Sequence, residues 1–188
     1  MSTSPAVAEA LLAIAAAMRK AGVRWYLFGA QAAIIWGSPR LSADVDVTVA
    51  LPRETIGALI EAMRERGFEL VFVDDEFIER TRVLPFLQSM TRMPVDVVLA
   101  GPGLEEEFLH RAVAVALHGE MIPVISPDDL IVTKILAGRP KDIEDVRGVI
   151  LARRDELDVE RVRSLLKLLE EALGQSDLLP ALDNALRP

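Results

Sequence analysis

Hydrophobic and polar positions along the chain change period at glycines and prolines, and these breaks divide it into elements. Ala and Leu dominate from Ala6 to Met18, with Glu9 the one interruption. This predicts an amphipathic helix from about Pro5 to Lys20, ended by Gly22. Val23 to Phe28 has strand composition and stops at Gly29. Ala30 to Trp36 is a short apolar helical stretch, and Gly37-Ser38-Pro39 forces a turn. Asp44 to Leu51 reads as a second strand, with Val45, Val47 and Val49 on one face. Pro52 starts a helix to about Arg66, with Ile56, Leu59, Ile60 and Met63 along one side and Gly67 as its stop.

The next stretch favours strands. Phe68 to Val73 is one, followed by a polar break at Asp74-Asp75-Glu76. Val83 to Ser89 and Val95 to Leu99 make a pair joined around Thr91-Arg92-Met93-Pro94. A short helix passes through Glu105 to His110, and two short strands, Ala112 to Leu117 and Met121 to Ile125, flank His118-Gly119-Glu120. Helices then take over. Ser126-Pro127-Asp128-Asp129 opens one that reaches Ala137 and stops at Gly138. Another runs from Pro140 to about Arg154, a third from a cap at Asp158 to Gly174, and Ser176 caps a last short one. Strands followed by helices predict an α+β fold. Its mixed α/β core spans residues 1–125, and a helical segment, 126–188, is expected to pack on it.

Composition narrows the class. Of 188 residues 51% are hydrophobic and 27% charged, which excludes a disordered chain. The chain has no cysteine, which removes disulfides, thiolate zinc sites and cysteine nucleophiles and suits a cytoplasmic setting. Arg19 and Lys20 follow the first apolar run instead of preceding it, opposite to a secretory leader. The run is also shorter than the roughly 20 residues of a membrane span. The net charge of −8 argues against a general nucleic-acid binder. Residues 134–167 carry nine Lys/Arg and seven Asp/Glu, a balance that predicts a solvated, salt-bridged helix pair.

The chemistry begins at Asp44 and Asp46. Residues two apart in a strand share a face, so these carboxylates project together about 6–7 Å apart. Like charges this close raise each other's pKa unless a cation lies between them. Mg²⁺ (or Mn²⁺) suits one or two carboxylates together with substrate phosphate oxygens. Upstream, a strand ends at Gly29 where a helix starts, and its free N–H groups offer a seat for phosphate. The bland alternative is a pair of acids on a solvent-facing edge strand.

Phe28-Gly29-Ala30, thirteen residues, then Asp44-Val45-Asp46-Val47 resembles the signature of the DNA polymerase β-like nucleotidyltransferase superfamily. Gly37, then Arg40-Leu41-Ser42-Ala43-Asp44-Val45-Asp46, is similar to a run in minimal bacterial nucleotidyltransferases, a group that includes toxins of abortive-infection toxin–antitoxin pairs. A second block resembles theirs too: Lys134, Arg139, Asp142 and Asp145 at matching spacings. The resemblance implies a mixed-sheet nucleotidyltransferase core with flanking helices.

It also implies a reaction, the transfer of a nucleoside monophosphate from an NTP to a hydroxyl on RNA, protein or a small molecule. A cognate antitoxin would be a possible partner. Asp44, Asp46 and a third acid, Asp96 in Val95-Asp96-Val97, would be catalytic and hold the metal. Gly29, Ala30, Arg40, Ser42, Lys134, Arg139 and Asp142 would bind nucleotide. Ala30 departs from the pattern, because a serine there offers the triphosphate a hydroxyl and alanine cannot. A degenerate member acting as a binding or regulatory module is therefore the alternative. His110 and His118 have no partner pattern, and there is no Walker-type loop or zinc spacing. Val159, Val162, Leu165, Leu166 and Leu169 form one apolar helix face, expected to pack on its own domain.

Overall fold

The computed structural model describes residues 4–38, 40–71 and 74–187. The described chain divides into two compact units. One holds the residues up to Gln31 together with Ser42–Ile125, and the other holds Ala32–Leu41 together with the residues from Ser126 onward. The fold is α+β. Among the described residues no helix is long and apolar enough to cross a membrane.

The first unit is built on a seven-stranded mixed sheet. Its strands are β1 (Arg24–Phe28), β2 (Val45–Ala50), β3 (Phe68–Leu70), β4 (Val83–Gln88), β5 (Pro94–Leu99), β6 (Val113–Leu117) and β7 (Glu120–Val124), in the spatial order β3-β4-β5-β2-β1-β7-β6. β2 is central, antiparallel to β1 and parallel to β5. Its position follows from composition: Val45, Val47 and Val49 are all completely buried, and a strand so placed needs partners on both edges.

Helix α1 (Pro5–Ala21) buries Leu11, Ile14 and Met18 and packs on α3 (Ile56–Arg64). Ser4 Oγ accepts from Val7 N at its start, and Gly22 closes it at φ 66°, the left-handed conformation that suits glycine. Helix α2 (Gly29–Trp36) begins in this unit and ends in the other.

Four expectations shift, the last helix (Leu178–Leu186) among them: it follows Asp177 with no side-chain cap bond, not a cap at Ser176. The helix after Pro52 starts later, because Pro52 stays extended (φ −62°, ψ 145°) and a 3-10 turn, Arg53–Thr55, precedes α3. The strand expected over Phe68 to Val73 is assigned only to Leu70, and Phe72 and Val73 lie outside the described residues. The polar break at 74–76 instead opens helix α4 (Asp75–Thr81). Asp74 Oδ1 caps it by accepting from Phe77 N at 2.8 Å. Asp75 and Glu76 then lie in its first turn, where acids oppose the helix dipole favourably. Acids that looked like a loop are a helix start. Helix α5 (Leu104–Arg111) follows β5.

The second unit gathers the end of α2 and helices α6 (Pro127–Ala137), α7 (Pro140–Arg153), α8 (Val159–Leu173) and α9 (Leu178–Leu186). Ser126 caps α6 and Gly138 ends it, as its sequence predicts. On α8, Val162 and Leu166 are buried, and that helix packs on α6 and α9. The segment after α2 lies close on α7. A Cβ on Gly37 would fall 2.3 Å from Ala152 Cβ, and one on Gly148 would fall 2.8 Å from Ser38 Cα. Both glycines are therefore contact surfaces. Pro39, part of the expected turn here, lies outside the described residues. Trp36 stacks under the Arg153 guanidinium, 5.3 Å from its ring centre.

Candidate active site

The parallel ladder between β2 and β5 pairs Val45 with Val95, Asp46 with Asp96 and Val47 with Val97. The four valines are fully buried. Side chains alternate along a strand, so the two aspartates leave the sheet on the face opposite to those valines, directly beside each other. Asp44 stands just before β2, two residues from Asp46 and of the same parity. Asp46 and Asp96, from separate parts of the sequence, thus share one sheet face, with Asp44 just ahead of it.

Their electrostatics agree with that placement. The Asp96 carboxyl is pushed above the usual carboxylate range, first by desolvation and second by the negative charge of Asp44.

Gly29 supplies the space beside them. Its φ is 66°, and a Cβ there would lie 2.0 Å from Asp46 Oδ2 and 2.8 Å from Asp46 Cγ. The glycine that ends β1 and starts α2 is the gap into which the Asp46 carboxyl leans. Gly29→Ala therefore has two costs, a left-handed conformation for a residue with a Cβ and a clash with Asp46. The expected loss is about 1–3 kcal/mol of stability, measured by urea unfolding, together with displacement of the Asp46 carboxyl. Ala30, next along, is buried, so its methyl group belongs to the packing of the unit.

Ser42 Oγ donates to Asp44 Oδ1, so the expected nucleotide-binding hydroxyl is turned toward the carboxylate here. Gln31, to which the sequence pattern assigned no role, is 3% exposed and donates from Nε2 to Ser42 O at 2.9 Å and Asp44 O at 3.2 Å. Only its polarity within an apolar helical run could have singled it out.

The chemistry of the acids suits Mg²⁺ or Mn²⁺, since Asp44, Asp46 and Asp96 are hard oxygen donors. Among the described residues no group of three His, Cys, Asp or Glu side chains is drawn together to hold an ion. The backbone register aligns Asp46 with Asp96, and the Asp44 carboxylate accepts from Ser42 Oγ.

The remaining predicted residues belong to the helical unit and form an ionic cluster. Lys134 Nζ lies 2.8 Å from Asp142 Oδ1 and 2.8 Å from Asp145 Oδ2. Arg139 Nε pairs with Asp142, and Arg40 Nη1 with Asp145 at 2.8 Å. Ser38 Oγ also donates to Asp145, at 2.9 Å. Asp142 and Asp145 are 0% and 1% exposed. Burial alone would raise the Asp142 pKa, but its bonds to Arg139 and Lys134 outweigh that and hold it below the ordinary range. Lys134, expected at the nucleotide phosphates, spends two of its N–H groups on carboxylates of its own unit. Asp145, given no role from sequence, is the hub of the cluster.

Several solved structures share the fold. The solution structure of the antibiotic-resistance factor ANT(2'')-Ia matches with a TM-score of 0.60 at 16% identity, covering 89% of this chain and 95% of that one. The crystal structure of ANT(2'')-Ia in complex with adenylyl-2''-tobramycin matches at 0.58 and 18% identity, over 85% and 94%. An antigenic nucleotidyltransferase-like protein from Paracoccidioides brasiliensis matches at 0.58 and 16%, over 95% and 91%. At these identities the likeness is one of fold. No curated protein matches significantly by sequence. The model of one family, described as nucleotidyltransferase of unknown function (DUF6036), matches residues 9–177, nearly the whole chain with both motif blocks inside it. The chain belongs to this nucleotidyltransferase family.

Proposed function

We propose that this nucleotidyltransferase moves a nucleoside monophosphate from an NTP to an acceptor hydroxyl in a reaction that depends on a divalent metal. The observation that carries the reading is the Asp46–Asp96 register across two parallel strands, with Asp44 beside it and Gly29 leaving room for Asp46. Asp44 and Asp46 would hold Mg²⁺ or Mn²⁺, with Asp96 as a further ligand. Bound there, the cation neutralises phosphoryl charge.

The acceptor oxygen attacks the α-phosphorus, the P–O bond to the β-phosphate breaks, and pyrophosphate leaves with the bonding electrons. Asp96 takes the proton of the acceptor hydroxyl, a role that a carboxylate of raised basicity performs better than an ordinary one. The first N–H groups of α2, at Gly29 and Ala30, offer bonds to phosphate oxygens. Arg40, Ser42, Lys134, Arg139 and Asp142 remain in this reading as nucleotide-binding residues on the strength of the resemblance.

A small molecule is the favoured acceptor class. ANT(2'')-Ia, which shares the fold, has been captured with adenylyl-2''-tobramycin, and the −8 charge disfavours a long polyanion. A toxin role with an antitoxin partner rests on the resemblance alone.

The test is incubation with each radiolabelled NTP, Mg²⁺ or Mn²⁺, and fractionated cell extract, followed by identification of the labelled species. Label is expected on an acceptor with wild-type protein and on none with Asp44→Ala/Asp46→Ala. Absence of metal-dependent NTP binding would sink the enzyme reading. Metal-dependent binding without transfer would instead favour a degenerate binding module, the second reading that Ala30 motivates.

A further inference from the structure

Asp44 has an anchoring problem that Asp46 and Asp96 do not share. Those two sit inside the β2–β5 ladder, where backbone bonds on both strands fix the direction of their side chains. Asp44 lies ahead of β2, in residues 40–44 that belong to no helix or strand. A side chain aimed from irregular backbone is only as well placed as that backbone is held.

The side chain of Gln31 holds it. A primary amide nitrogen carries two N–H groups. Gln31 Nε2 meets two acceptors, the carbonyls of Ser42 and Asp44, at 2.9 and 3.2 Å. Gln31 sits in the first turn of α2, two residues after Gly29, and is almost wholly buried. A polar amide in that position is costly unless its bonds are made, and both of its donors are used on the same loop. Ser42 Oγ donates to the Asp44 carboxylate itself. Backbone and side chain of Asp44 are thus restrained separately, the first by Gln31 and the second by Ser42.

We propose that Gln31 is a positioning residue for Asp44: its amide fixes the Ser42 and Asp44 carbonyls and so keeps the Asp44 carboxylate on the face of Asp46 and Asp96. The role rests on the proposed function, because it concerns the presentation of Asp44 to a divalent cation.

The test is Mn²⁺ binding to the purified chain, followed by electron paramagnetic resonance without nucleotide, in wild type, Asp44→Ala and Gln31→Met. Methionine has nearly the same length and no donor. Outer partners that orient a metal ligand affect affinity roughly ten- to hundredfold, and Gln31→Met is expected to weaken Mn²⁺ binding within that range. Amide exchange in a peptide covering Ser42–Val45 should rise in parallel, and kcat should fall more than the KM for NTP.

Ala62→Gly, in the buried face of α3, serves as a control for general destabilisation. It should lower Tm and leave Mn²⁺ affinity unchanged. Wild type that binds Mn²⁺ in an Asp44-dependent way, alongside Gln31→Met that binds equally well, overturns the role of Gln31 and leaves the site reading standing. Equal loss of affinity in Ala62→Gly overturns it too, because the effect is then one of stability. Wild-type binding that is absent, or indifferent to Asp44→Ala, overturns the site reading and the role of Gln31 together.

Discussion

Asp96→Asn is expected to lower the transfer rate by roughly 10²–10⁴-fold, the usual worth of a general base, and to leave a chain that melts higher than wild type at neutral pH. The two effects share one cause. Asp96 is exposed at the sheet face, yet partial desolvation and then the charge of Asp44 raise its folded pKa. A raised carboxyl pKa means that the fold prefers the protonated form. The stability tied to this group is fully present below the unfolded pKa and is lost as pH rises through the folded value. Asparagine keeps the shape and carries no charge, so it removes that loss. The Tm gain should appear in the metal-free chain at neutral pH and disappear in acid, where wild-type Asp96 is protonated as well. Initial rates and thermal melts at the two pH values check both halves. Unchanged transfer would remove Asp96 from the chemistry, and a lower Tm at neutral pH would make its role structural.

The parts of this arrangement that sequence exposes are the local ones. Ser126 and Asp158 cap helices where their positions suggest. Gly22, Gly138 and Gly174 end helices in left-handed backbone, because cap and stop chemistry is settled within a few residues. Alternating valines marked β2 and β5 for the same reason. The pairing of Asp46 with Asp96 joins residues 50 positions apart, and nothing in either strand specifies its partner. The motif resemblance, not periodicity, suggested that they meet. Helix α4 was hidden because Asp74-Asp75-Glu76 has the composition of a turn as much as of a helix start. Gln31 was hidden because its value lies in two backbone carbonyls, which leave no mark on side-chain identity. Residues 32–41 precede the second strand in sequence, yet they cluster with the C-terminal helices through Gly37, Ser38 and Arg40 on α7. Lys134 read as a nucleotide ligand on the resemblance, and its burial between two carboxylates follows only from the α6–α7 geometry.

Asp145→Ala is expected to destabilise the chain by about 3–5 kcal/mol, the cost of breaking a buried ion pair from one side, read from urea unfolding. The size follows from what the carboxylate holds. Ser38, Arg40 and Lys134 all donate to it. Arg40 is 24% exposed along its side chain and can turn to water, whereas Lys134 is 7% exposed and cannot do so without moving α6. Most of the loss should therefore come from the buried ammonium, which keeps only its bond to Asp142. Lys134→Met added to Asp145→Ala tests that attribution. Removing the cation should recover part of the stability, since no buried ammonium is then left with half its partners and Asp142 keeps Arg139. No recovery would assign the loss to Ser38 and Arg40. Acid separates the contribution of Asp142 from that of its neighbour. Its folded pKa is depressed, so its contribution is complete above the ordinary carboxylate range and is lost as pH falls through the lower folded value. The wild-type stability curve should thus bend downward below that range. Asp142→Asn should flatten the bend and lower the plateau at neutral pH, because Lys134 and Arg139 would then face a neutral amide.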